Sequence, residues 1–101
     1  MILIMVVDAD LANARVEYNE AFGRWQRYHS EIIPNSAKSR DAVAFAYEKG
    51  EASWVDLLEA ERADNDARLA EAQARADTAS AIADMNAAEM AVTEGELNSQ
   101  K

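Results

Sequence analysis

From Ser53 to Thr93 the chain runs without a glycine or a proline. Inside that stretch, "EAERADNDARLAEAQARADTASAIADMNAAEMA" is dominated by alanine and by other residues that lose little on entering a helix. Helix is the expectation for the whole of residues 53–93, about 60 Å at 1.5 Å per residue. Leu58, Leu69, Ala72, Ala76, Ala79, Ile82 or Ala83, and Met90 trace a narrow stripe at steps of three, four or their multiples. We read that stripe as the helix's packing seam. Its small residues let another backbone approach closely, so the seam is expected to pack on more than one neighbour.

The first half carries a different signal of the same kind. Leu11, Tyr18, Trp25 and Ile32 recur every seven residues, with Ala14, Ala21 and Tyr28 between them. That is the a/d spacing of a coiled-coil seam, and no strand-like alternation competes with it. A second helix is expected over residues 8–49. Pro34, in "SEIIPNSAKS", lacks a backbone donor and crowds the carbonyl of Ser30, at about 3 kcal/mol in a helix interior. A kink or short break is therefore expected near Ile33 to Asn35.

Between the halves lies "EKGEASWVDLL". Gly50 suits the left-handed position just past a helix end, and Lys49 is favourable beside the negative end of the helix. Ser53 followed by Asp56 reads as a capping box opening the next helix, with Asp56 and Glu59 adding negative charge in its first turn. A turn at residues 50–52 makes the two helices antiparallel neighbours. The fold class expected is all-α: a long antiparallel two-helix hairpin, coiled-coil-like, kinked near Pro34 and turning at Gly50, with a frayed tail at 94–101.

Composition narrows the function. With 101 residues the chain is at most one domain, and large apolar residues are sparse outside "MILIMVV", so burial gives a thin seam and partners are needed. The net charge of −9 lacks the basic footprint that nucleic acids demand and disfavours anionic membrane surfaces. Cysteine is absent, which removes disulfides, thiolate nucleophiles and thiolate metal sites. The seven apolar residues at the start are too few for a membrane span or an export signal, and neither is expected.

The stretch from Arg27 to Ala88 resembles the C-terminal helical hairpin of TolC-family outer-membrane efflux proteins, nearest their heavy-metal/cation efflux (CzcC/CusC-like) branch. The resemblance rests on the order and spacing of Ile32, Ile33, Pro34, Tyr47, Gly50, Ser53, Asp56 and Leu58, followed by the alanine-rich helix. It implies a homotrimer whose helices form a periplasmic tunnel below an outer-membrane β-barrel. The glycine turn then lies at the tunnel entrance and meets the hairpin of a periplasmic adaptor, which joins it to an inner-membrane pump. By that correspondence Gly50, Glu51, Ala52, Ser53 and Trp54 form the adaptor-contacting tip. Asp56 and Glu59 match acidic positions near the entrance, and three copies would make a ring of negative charge that favours cations. Barrel strands, the first structural repeat and a lipidated cysteine are missing, so the chain reads as a fragment of a larger channel protein.

Several side chains also have plainer roles. Asp56 serves equally as a helix cap. Trp54 is either a contact anchor or packs against Tyr47 across the turn. Trp25, Tyr18 and Tyr28 are expected on the seam. His29 has no companions for a metal site, and Met1, Met5, Met85 and Met90 do not cluster. Asp64, Asp66, Glu71, Asp77 and Asp84, interleaved with Arg62, Arg68 and Arg75, read as a solvated helix face. No base–nucleophile pair, phosphate loop or zinc spacing is present, so neither an enzyme nor a cofactor is expected. The alternatives to a channel hairpin are the adaptor's own coiled-coil hairpin and a free-standing interaction protein that dimerises into a four-helix bundle. The intact family is trimeric; a dimer is the alternative for the isolated chain.

Overall fold

A computed structural model describes residues 2–99, with side chains described for 8–98. The described chain is all-helical: α1 (Ile2–Arg27), a π-helical turn (Tyr28–Ile32), α2 (Ile33–Glu48) and α3 (Trp54–Ser99). Both helical stretches are longer than expected. The first begins at Ile2 rather than near Asp8, and α3 continues beyond Thr93 through Gly95 to Ser99, where a frayed tail was expected. Gly95 is half-buried in line with a row of alanines, so the helix keeps a packed face there. Residues 100 and 101 of the expected tail lie outside the described residues.

The interruption expected at Pro34 takes a different form. The helix is not broken over 33–35. Instead the turn just before it widens, and the Ile33 N–H donates to the Tyr28 carbonyl five residues back. Pro34 follows directly at the start of α2, where it donates no backbone hydrogen bond to the turn before it. The Ser30 hydroxyl donates to the Gln26 carbonyl one turn back, taking up a backbone acceptor beside the wide turn.

The wide turn also resets the packing face by one residue. Up to its end, the expected Leu11, Ala14, Tyr18, Ala21, Trp25, Tyr28 and Ile32 are buried or half-buried, with Phe22 half-buried beside them. Continuing that count would place Asn35, Ser39 and Ala42 on the seam, but all three are exposed. Ser36, Arg40 and Val43 are half-buried in their place. A π-turn holds one residue more than the α-turn it replaces, which is the whole of the shift.

On α3 the seam is not the stripe the sequence suggested. Of that stripe, Leu58 and Ala72 are half-buried, while Leu69, Ala76, Ala79, Ile82, Ala83 and Met90 are exposed. The covered face is an unbroken alternation of three- and four-residue steps from Leu57 to Gly95. One of its rows is Ala60, Ala67, Ala74, Ala81 and Ala88, ending on Gly95; the other is Leu57, Asp64, Glu71, Thr78, Met85 and Val92. A stripe chosen by apolar size misses a face whose small residues bring backbones close and whose polar residues are buried with partners.

The described chain divides into two compact units, Arg24–Ala74 and Met1–Gly23 with Arg75–Lys101. In the first, the turn after α2 is flanked by α2 and the opening of α3. Arg40 bonds Asp64 across the pair at 2.7 Å, and farther from the turn Trp25 Nε1–H donates to Glu71 at 2.8 Å. In the second, Ala14, Ala21, Thr78 and Ala81 are buried, Tyr18 stacks on Phe22, and Arg15 lies 3.8 Å from Glu89.

Candidate functional site

The turn residues form a closed hydrogen-bonded device. Gly50 has φ of 75°, the left-handed region that side chains resist. Its N–H donates to the Tyr47 carbonyl at 3.0 Å, and the Glu51 N–H reaches the Ala46 carbonyl at 2.8 Å. Together these two bonds make a Schellman motif, which satisfies carbonyls that the end of α2 would leave open. The Ala52 N–H adds a second donor to Ala46 at 3.3 Å. No atom lies within 4 Å of where a Gly50 Cβ would stand, so conformation alone demands glycine here.

On the far side of the turn the expected capping box is present. The Asp56 N–H donates to Ser53 Oγ at 3.1 Å, and the Ser53 N–H donates to Asp56 Oδ2 at 3.0 Å. The Ser53 backbone N–H first, and its hydroxyl second, hold the Asp56 carboxyl below the usual carboxylate range. Asp56 is thus fixed in place by the cap and still exposed. A shallow open groove beside the turn is floored by Ala42, Val43, Ala46, Ala52 and Ala60, with Asp56 and Glu59 at its rim. The structure therefore gathers both expected entrance carboxylates along one groove.

Around the turn, large apolar side chains face solvent. Trp54 is 63% exposed, Phe45 59%, Val55 55% and Tyr47 41%. Trp54 is thus largely exposed beside the turn. The Lys49 ammonium sits 4.4 Å from the centre of the Phe45 ring, a cation–π contact. Of the tip residues singled out from sequence, Gly50, Glu51, Ser53 and Trp54 are exposed, and Ala52 is half-buried.

One cluster escaped the sequence reading. Asp64, expected on a solvated face, is only 2% exposed, and Glu71 is 9% exposed. Asp64 Oδ2 accepts from Arg40 Nη1 at 2.7 Å and from Arg68 Nε at 3.0 Å, while Oδ1 is buried without a hydrogen bond. The Arg68 guanidinium, helped by the Arg40 charge, holds the Asp64 carboxyl below the usual range against burial, which pushes it up. Arg40 bridges onward to exposed Asp41 at 3.2 Å. The available signal was the seven-residue spacing of Asp64, Glu71 and Thr78 between rows of alanine. Asp66, Asp77, Asp84 and Arg62 are exposed, as expected.

Among the described residues, no three His, Cys, Asp or Glu side chains converge as a metal site, and no helix is long and apolar enough to cross a membrane. No protein-family model, curated protein or solved structure matches the chain.

Proposed function

We propose that the chain is an antiparallel, coiled-coil-like helical hairpin from the periplasmic tunnel of a trimeric, TolC-like outer-membrane efflux channel. In this reading it is a passive conduit in a tripartite export system, one that serves heavy metals or other cations. Helices build the wall, the tip at Gly50, Glu51, Ala52, Ser53 and Trp54 meets a periplasmic adaptor, and Asp56 and Glu59 bias the entrance toward cations.

The observation that carries the reading is that α3 has two apolar faces. A lone hairpin needs one. Opposite its covered seam, roughly 150° around the helix, lies a second row at seven-residue steps: Leu69, Ala76, Ala83, Met90 and Leu97, all exposed. Helices in a tunnel wall are flanked on both sides, so each needs two such faces. The tip adds support, since its backbone is closed by its own hydrogen bonds while its aromatic side chains point outward.

The reading is tested by binding the purified chain to the isolated adaptor hairpin of a heavy-metal export system, followed by calorimetry. Saturable binding that falls at least tenfold in Trp54→Ala, with helicity unchanged, is the expected result. Binding unaffected by Trp54→Ala and by Glu51→Lys would remove the tip from the interface and sink the reading.

A further inference from the structure

The second apolar face of α3 is bordered on one side by a row with an unusual order of charge. At seven-residue steps it reads Arg68, Arg75, Ile82, Glu89, Glu96. The row inverts its sign about Ile82, which is itself 40% exposed. We propose that in the chain on its own this face is covered by the same face of a second copy, the two α3 helices running antiparallel about a two-fold axis at Ile82.

Coiled-coil geometry decides the direction, because flanking charges set partner choice and orientation. In an antiparallel pair, equivalent flanking positions face each other at equal distances from the axis. Arg75 then meets Glu89 of the second copy, Arg68 meets Glu96, and Ile82 meets itself. Each attraction occurs twice by symmetry, as in any isologous two-fold contact. In the seam, Ala79 lies against Ala83 of the second copy, Ala72 against Met90, Ala76 against Asn86 and Leu69 against Thr93. The opposite border places Ser80 against itself and Gln73 against Ala87, with like charges meeting at Asp66 and Glu94 alone. A parallel pair offers none of the attractions: Arg68 would face Gln73, Arg75 would face Ser80, and Glu89 would face Glu94. The bond of Glu89 to Arg15 within one chain is long, at 3.8 Å, and both side chains are about half exposed or more, so it leaves Glu89 able to turn outward.

This pairing is independent of the channel reading, in which other helices cover the same face. Ile82→Cys, oxidised in dilute solution, should give near-complete disulfide-linked dimer, whereas Val16→Cys, on α1 and more exposed than Ile82, should not. Light scattering should give twice the 11.1 kDa chain mass. Arg75→Glu should raise the dimer dissociation constant at least tenfold, and Arg75→Glu with Glu89→Arg should restore self-association without mixing with the unmodified chain. If Glu89→Arg lowers helicity by repelling Arg15, Glu89→Gln, which removes the attraction to Arg75 of the second copy without that repulsion, should weaken the dimer instead. A monomer at all concentrations, a trimer, or a dimer that fails to link through position 82 would overturn the proposal.

Discussion

Two glycines in the helical part of the chain have opposite worth. Gly50 is required by its left-handed backbone, and Gly50→Ala should cost about 1–2 kcal/mol in a denaturant melt. Gly23 sits in the interior of α1 with open space where a Cβ would stand. Gly23→Ala should therefore stabilise by about 0.5–1 kcal/mol, because it only removes backbone entropy from the unfolded chain. Two carboxyls make the second residue-scale statement. Asp56 and Asp64 both titrate below the usual range in the folded chain. A depressed folded value means each contributes stability that is complete above the unfolded pKa of about 4 and is lost as pH falls through the folded value. Thermal melts should be flat from pH 7 to 5 and fall below about pH 4. Asp64→Asn should be less stable at neutral pH and should flatten that acid limb, with Asp56→Asn doing so to a smaller degree. A limb that keeps its slope in both variants would show that these carboxyls do not set it.

At the scale of elements, the wide turn at Tyr28–Ile32 absorbs one residue too many for an unbroken seven-residue pattern. Deleting His29 together with Pro34→Ala should leave a continuous α-helix in which Ile33 takes the place of Ile32 and Arg40 still reaches Asp64. Circular dichroism should show full helicity and a melt within a few degrees of the original. Deleting Glu20 instead should displace Trp25 from Glu71 and lower the melt steeply. Equal losses from both deletions would contradict the reset. Part of this arrangement is legible in the sequence. The turn was legible because Gly50, Ser53 and Asp56 act through hydrogen bonds within a few residues. The seam of α1 was legible because its large side chains stand at regular steps. The seam of α3 was not, because alanine signals helix without signalling a face. Asp64 and Glu71 looked solvated because the side chains that bury them, Arg40 and Trp25, are 24 and 46 residues away. The wide turn was located to within a few residues by Pro34, but its form depends on which carbonyls find donors.

At the scale of the molecule, burial is confined to small and polar side chains. Among the described residues, the buried apolar ones are four alanines, and the largest fully buried side chain is that of Asp64. Large apolar residues, including Leu69, Met90 and Leu97, remain largely exposed. A chain arranged this way gains little from its own seam and has more to gain from neighbours. We propose that the tip of the chain engages a periplasmic adaptor. It is tested most directly by placing a photo-reactive amino acid at position 54 in bacteria that express the chain in a periplasmic channel together with a cation-export adaptor. A crosslink from position 54 to the adaptor and none from position 16 is the expected result. A position-54 crosslink to any other protein, or to none while the chain is folded and exported, would contradict it.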